Sequence, residues 1–135
     1  MGSEMCIRDR TYENQGKSAK EALKLTKEYV AVPSGSEHET GLAADIMNTH
    51  WYSTHGNQLL SSSDKNKGQQ WLINHAADYG FVLRFTKDGK QSTGIDYESW
   101  HFRYVGKASA EFMTKHNLTL EQYVSLLQAR EKAAK

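Results

Sequence analysis

The sequence predicts an α+β fold, in which a small antiparallel sheet is flanked by helices. Three observations support that class. Apolar residues recur at three- and four-residue steps in several segments, the period of an amphipathic helix. Short apolar or alternating runs lie between them, each the length of a single strand. Hairpin-type turn residues join those runs, which favours segregated helices and strands over a parallel βαβ array. At 135 residues the chain has the length of one domain with one core.

Gln15 to Val32 reads as the first helix, because Ala19, Ala22, Leu23, Leu25, Tyr29 and Val30 recur at helical spacing. Pro33 ends it, since the residue before a proline avoids the helical region, and Ser34, Gly35 and Ser36 form a turn. Gly41 to Met47 is short and apolar and reads as a strand. Asn48 to Lys67 is rich in Ser, Asn and Gly without a clear period, and reads as a long loop of the kind that often carries function. Gly68 to Tyr79 is a second helix, with Trp71, Leu72, His75, Ala76 and Tyr79 on one face and Gly80 at the C′ position. Phe81 to Phe85 is a strand, and Asp88-Gly89 within the following turn, Lys87 to Lys90, is a hairpin signal. Trp100 to Val105 is the next strand, with Trp100, Phe102 and Tyr104 on one side and His101 and Arg103 on the other. Lys107 to His116 is a helix in which Phe112 and Met113 read as core. Thr119 and Gln122 make a capping box for a last helix running to about Ala129.

Composition narrows the function classes. Hydrophobic residues make up 38% of the chain, and three Trp, seven Tyr and four Phe can anchor a core, so the chain is globular rather than disordered. Seventeen basic and sixteen acidic side chains nearly cancel, which does not favour phosphate-driven nucleic-acid binding. Cys6 is the one cysteine, so no intrachain disulfide forms. No apolar stretch is long enough to insert into a membrane, and Met1 to Arg10 has no apolar h-region. Residues 1–9 read as a leader or truncation remnant, and residues 10–135 as a single domain.

Two segments carry the candidate chemistry. Ser36 to Asp45 places His38 in a Ser/Gly-rich turn and Asp45 seven residues later, near the end of a strand. Glu98 to Tyr104 places Glu98 three residues before His101. Imidazole and carboxylate are good zinc ligands, and two His with one Asp leave a fourth position for water. A carboxylate beside such a site, as Glu98 would be, can take a proton from water and pass it to a leaving amine. Residues three apart on a straight strand face opposite sides, so a bend near Ser99 is required. Taken singly, His38 or Asp45 also suits a turn cap, Glu98 a solvated surface and His101 a core histidine. His75 reads as packing, His116 as a helix-end cation, and His50, His55, Trp51 and Tyr52 as residues of the long loop.

Read together, Ser-x-His-x-x-Gly-x-Ala-x-Asp and Glu-x-Trp-His-x-Arg-Tyr resemble the VanY-type D-alanyl-D-alanine carboxypeptidases. Gly80 to Phe85, Thr93-Gly94 and Arg10 to Gln15 resemble further stretches of that family, in the same order. The resemblance implies a zinc peptidase of the hedgehog/D-Ala-D-Ala-peptidase-like fold that trims peptidoglycan stem peptides outside the cytoplasmic membrane. It implies His38, Asp45 and His101 as Zn2+ ligands and Glu98 as catalytic base. It further implies Arg10 as a contact to the substrate carbonyl or carboxylate, Ser36 and Gln15 near the bound peptide, and Trp100 as a wall of the site. Two departures stand out. The family usually has Pro where Ser99 stands, which predicts a looser bend, and Ser-Gly-Tyr before its arginine, where this chain has Ile7-Arg8-Asp9.

The expected activity is removal of a C-terminal D-alanine. Three alternatives stay open: an L,D-carboxypeptidase acting on tetrapeptide stems, a same-fold cell-wall endopeptidase, and a non-catalytic zinc-containing binding module of the hedgehog kind. Presence of Glu98 weighs against the last, because a purely structural zinc needs no base.

Overall fold

The computed structural model describes residues 11–27 and 35–135. The chain divides into two compact units, Met1–Thr40 and Gly41–Lys135. In the first unit, residues 11–14 are helical and α1 spans Ala19–Lys27. The sequence places this helix start at Gln15. Gly16 instead takes φ 84°, and a capping box at Ser18 begins α1 afresh. The Ser18 N–H donates to Glu21 Oε2 at 3.1 Å, and the Glu21 N–H donates to Ser18 Oγ at 3.4 Å. The stop expected at Pro33 lies outside the described residues. A 3-10 turn, Glu37–Thr40, ends the unit.

The second unit is built on a three-stranded antiparallel sheet. Its strands are β1 (Ala43–Asp45), β2 (Phe81–Phe85) and β3 (Glu98–Tyr104), in the order β1-β3-β2. The central strand β3 pairs with β1 through Ala43–Arg103, Ala44–Phe102 and Asp45–His101. It pairs with β2 through Phe81–Tyr104, Val82–Arg103 and Leu83–Phe102, then shifts register so that Phe85 faces Glu98. Both faces of β3 are covered: Phe102 is 2% and His101 6% exposed.

Residues 48–67 do not form an open loop. They contain α2 (Thr49–His55) and a 3-10 turn, Ser61–Lys65. Asn48 caps α2 by accepting the Trp51 N–H at 3.0 Å, and the Trp51 indole N–H reaches the Gln58 carbonyl at 2.9 Å. Trp51 is thereby packed while Tyr52 is exposed. α3 spans Lys67–His75 and continues as a 3-10 turn to Tyr79, with Gly80 at φ 85° closing it. Trp71 and Tyr79 are exposed, so the aromatic face expected to be buried points outward, and Gln69 is the fully buried residue of α3. His75 stacks on Trp71 at 4.4 Å.

The Asp88-Gly89 signal does not give a tight hairpin. Gly89 keeps φ −87° and begins a single helical turn, α4 (Lys90–Thr93), within the connection between β2 and β3. α5 spans Lys107–Lys115 and α6 spans Leu120–Ala133. The capping box of Thr119 and Gln122 is present, and α6 runs one turn beyond the expected end. Val82, Ala110 and Met113 form the buried cluster, with Ala77, Val105, Leu118, Leu120 and Tyr123 packed around it. Arg84 forks onto the Glu121 carboxylate at 3.0 and 2.5 Å and ties β2 to α6.

Met113 is 2% exposed, and its truncation leaves a cavity between β2 and α5. Met113→Ala is expected to lower stability by roughly 2–5 kcal/mol, read from urea unfolding, with the midpoint shifted and the slope unchanged.

Candidate metal centre

The second unit brings Asp45, Glu98 and His101 together. Asp45 ends β1 directly across the ladder from His101. The Asp45 Oδ1 lies 3.6 Å from His101 Nδ1, and Glu98 Oε2 lies 3.2 Å from the same nitrogen. The Phe85 ring meets the imidazole edge-on, with centroids 4.8 Å apart, and restricts its rotation. Glu98 is 7% and His101 6% exposed, whereas the Asp45 side chain keeps a third of its surface open.

The shifted register explains how residues three apart share this site. Ser99, Trp100 and His101 stand opposite the single residue Arg84, since Leu83 pairs with Phe102 and Phe85 with Glu98. A bulge of this kind bends the strand and re-aims side chains on either side of it. On the other edge the ladder stays regular, and the Ile46 N–H donates to the Trp100 carbonyl at 2.8 Å.

The 3-10 turn Ser61–Lys65 grips both neighbours of Glu98. Ser61 Oγ donates to the Tyr97 carbonyl at 2.8 Å. The hydroxyls of Ser63 and Ser99 are 2.7 Å apart, and both residues are fully buried. The bend at Ser99 is therefore anchored by a buried hydrogen bond, contrary to the looseness expected from a residue other than proline. Ser61, Ser63 and Phe85 carry no sequence signal for these roles. The capping pairs Asn48–Trp51 and Asn66–Gly68 were the readable sign that structure fills this stretch.

Trp100 is buried in β3. In the first unit, His38 sits half-buried on the 3-10 turn, where its backbone N–H donates to Ser36 Oγ at 3.3 Å. Gln15 is exposed. Arg10 lies outside the described residues.

The family described as "VanY: D-alanyl-D-alanine carboxypeptidase" matches the chain over residues 7–107. A putative carboxypeptidase, YodJ, of Bacillus subtilis (strain 168) is 40% identical over 97 residues, covering 72% of this chain and 34% of that protein. The structure of VanYB in complex with D-alanine-D-alanine is similar at a TM-score of 0.77 and 32% identity, covering 90% of this chain and 61% of that one. A VanY D,D-pentapeptidase variant from a VanB-type resistance cassette, in complex with Zn(II), is similar at 0.74 and 32%, covering 89% and 62%. The chain thus spans about a third of the curated relative and under two thirds of the solved ones.

An ion-pair cluster flanks the base of β3. Lys87 Nζ lies 2.8 Å from Asp64 Oδ2, and the Tyr97 hydroxyl donates to the same oxygen at 3.1 Å. Lys87 holds the Asp64 carboxyl below its ordinary value of 3.8, with burial opposing and the Tyr97 hydroxyl adding to the lowering. Burial first, and then the Asp64 charge, push the Tyr97 hydroxyl up. A carboxyl lowered in the folded state stabilises the fold above its unfolded value, and the contribution fades as pH falls through the folded one. Lys87→Met should therefore be less stable than the parent at about pH 7, by no more than about 1 kcal/mol for so exposed a lysine. The gap in urea unfolding should shrink as pH falls below the ordinary carboxyl value and Asp64 becomes protonated in the folded state as well.

Proposed function

The chain belongs to the VanY family of D-alanyl-D-alanine carboxypeptidases, and from that membership we propose that it is a zinc-dependent carboxypeptidase removing the C-terminal D-alanine from peptidoglycan stem peptides. The observation that carries this reading is the pairing of Glu98 with His101 on one bulged strand, opposite Asp45. A buried carboxylate beside a ligand-type imidazole is what general-base hydrolysis requires.

The donor set fits the metal. His38 and His101 each offer an imidazole nitrogen and Asp45 a carboxylate oxygen. Three protein donors of these types leave a fourth coordination position open, as in catalytic zinc sites. Zinc held by His38, Asp45 and His101 would lower the pKa of water and polarise the scissile carbonyl. Glu98 accepts the proton from the attacking water and delivers it to the leaving D-alanine nitrogen. Phe85 keeps the His101 ring in its orientation. Arg10 is assigned to the substrate carbonyl or carboxylate, where its charge would stabilise developing negative charge. Ser36, Gln15 and Trp100 are assigned to the bound peptide. No helix of the described residues is long and apolar enough to cross a membrane. We place the protein outside the cytoplasmic membrane, where its substrate is.

Glu98→Gln is expected to keep zinc and lose turnover by about 10²–10⁴-fold. His38→Ala, Asp45→Ala and His101→Ala are each expected to lose zinc, read by metal analysis after dialysis. Unchanged metal content in all three variants would remove this ligand set.

The whole reading is tested by mass spectrometry of stem pentapeptide and tetrapeptide incubated with the zinc-loaded protein, with and without a chelator. Chelator-sensitive loss of one D-alanine from the pentapeptide is the expected result. Shortening of the tetrapeptide alone assigns L,D-specificity. Clearing of cell walls without released D-alanine assigns an endopeptidase. Peptide binding without hydrolysis assigns a binding module.

A further inference from the structure

Gln69 is a polar residue with no exposed surface, and the site described above does not use it. Its side-chain amide makes three hydrogen bonds, all to backbone. Nε2 donates to the Ile46 carbonyl at 2.9 Å and to the Ser99 carbonyl at 2.7 Å. Oε1 accepts the Asn48 N–H at 3.1 Å. Two carbonyls and one N–H fix which end of the amide faces which partner.

The partners are what give this contact a consequence. Ile46 follows Asp45 directly, at the point where β1 ends and leaves the ladder. Ser99 follows Glu98 directly and lies inside the bulge, opposite Arg84. One amide therefore joins the backbone after the candidate ligand to the backbone after the candidate base. A buried backbone carbonyl left without a donor is costly, so the bulge needs such a partner to keep its shape. The Ser63–Ser99 hydrogen bond holds the side chain of the same bulge residue, and Gln69 holds its backbone.

We propose that Gln69 is a positioning residue for the hydrolytic reaction, setting the separation of Asp45 from the Glu98–His101 pair by clamping Ile46, Asn48 and Ser99. This rests on the proposed carboxypeptidase reading for its catalytic consequence, but not for the clamp itself. Small displacements of reacting groups are expensive: a shift of about 1 Å can cost on the order of 10²-fold in rate.

Gln69→Met keeps the length of the side chain and removes both donors and the acceptor. In the zinc-loaded protein it is expected to fold cooperatively, to lower kcat on the stem pentapeptide roughly 10–100-fold, and to leave KM within about twofold, since the positioned groups act on the reacting atoms. The visible spectrum of the cobalt-substituted protein should change. Amide exchange in the metal-free chain should accelerate at Ile46 and Asn48 while the Arg103 and Tyr104 amides keep their protection. Met113→Ala serves as the control, because it weakens the core without touching the clamp. It should keep kcat and the cobalt spectrum at a similar loss of thermal stability.

Parent-like kcat, spectrum and exchange in Gln69→Met would overturn the proposal, as would an equal loss of kcat in Met113→Ala. Should the parent protein neither hydrolyse the peptide nor bind cobalt, the carboxypeptidase reading fails by itself. The exchange rates at Ile46 and Asn48 then still decide whether Gln69 clamps these strands.

Discussion

The bulge in β3 is the constraint on which the second unit depends. A regular strand sends residues three apart to opposite faces, so Glu98 and His101 cannot meet on one. Inserting extra residues opposite Arg84 removes that obstacle. It also takes Ser99 out of the β2 ladder, and the Gln69 amide donates to the carbonyl so freed. The segment between β1 and β2 then follows as a consequence. α3 must run where Gln69 can reach both strands, and the Ser61–Lys65 turn must lie against Tyr97 and Ser99.

Apolar burial and polar clamping hold different parts of this unit. Val82, Ala110 and Met113 weld β2 to α5, at the end of the sheet where β2 begins. At the end of the sheet that carries Asp45, Glu98 and His101, the buried Trp100 is joined by serine hydroxyls, one glutamine amide and the edge of Phe85. Directional bonds suit that end, because a catalytic group needs a fixed orientation and not only a dry environment. Apolar contacts would exclude water equally well but would tolerate a slipped register.

Much of this was legible in the residues. Phe81 to Phe85, the strand around Trp100 to Tyr104 and the Thr119–Gln122 capping box appear where local pattern places them, because each is short and encoded by its own residues. Glu98, His101 and Asp45 were readable as a chemical set, and the need for a bend between Glu98 and His101 followed from strand alternation alone. What stayed hidden depends on partners distant in the chain. Polar residues 48–67 look like solvent-facing loop until Asn48 caps α2 and the serines of the 3-10 turn find β3. Trp71 and Tyr79 look like a buried stripe, yet α3 turns its glutamine inward. The buried carbonyl of Ser99 needs a donor there more than the interior needs another aromatic ring.

That inversion bears on how substitutions at Ser99 should be understood. A proline at this position would fix one backbone angle by itself. Serine has no such stiffness, and a free serine at a bend would add conformations to the site. Here the hydroxyl meets Ser63 at 2.7 Å while the carbonyl meets Gln69 at 2.7 Å, so the residue is held from its side chain and its backbone at once. The stiffness that a pyrrolidine ring supplies covalently is supplied by two buried neighbours. Ser63, Gln69 and Ser99 therefore form one unit of sequence choice. Removing the Gln69 amide leaves the buried Ser99 carbonyl without its donor, whereas a proline at 99 would release Ser63 from its role but leave the demand on Gln69 intact.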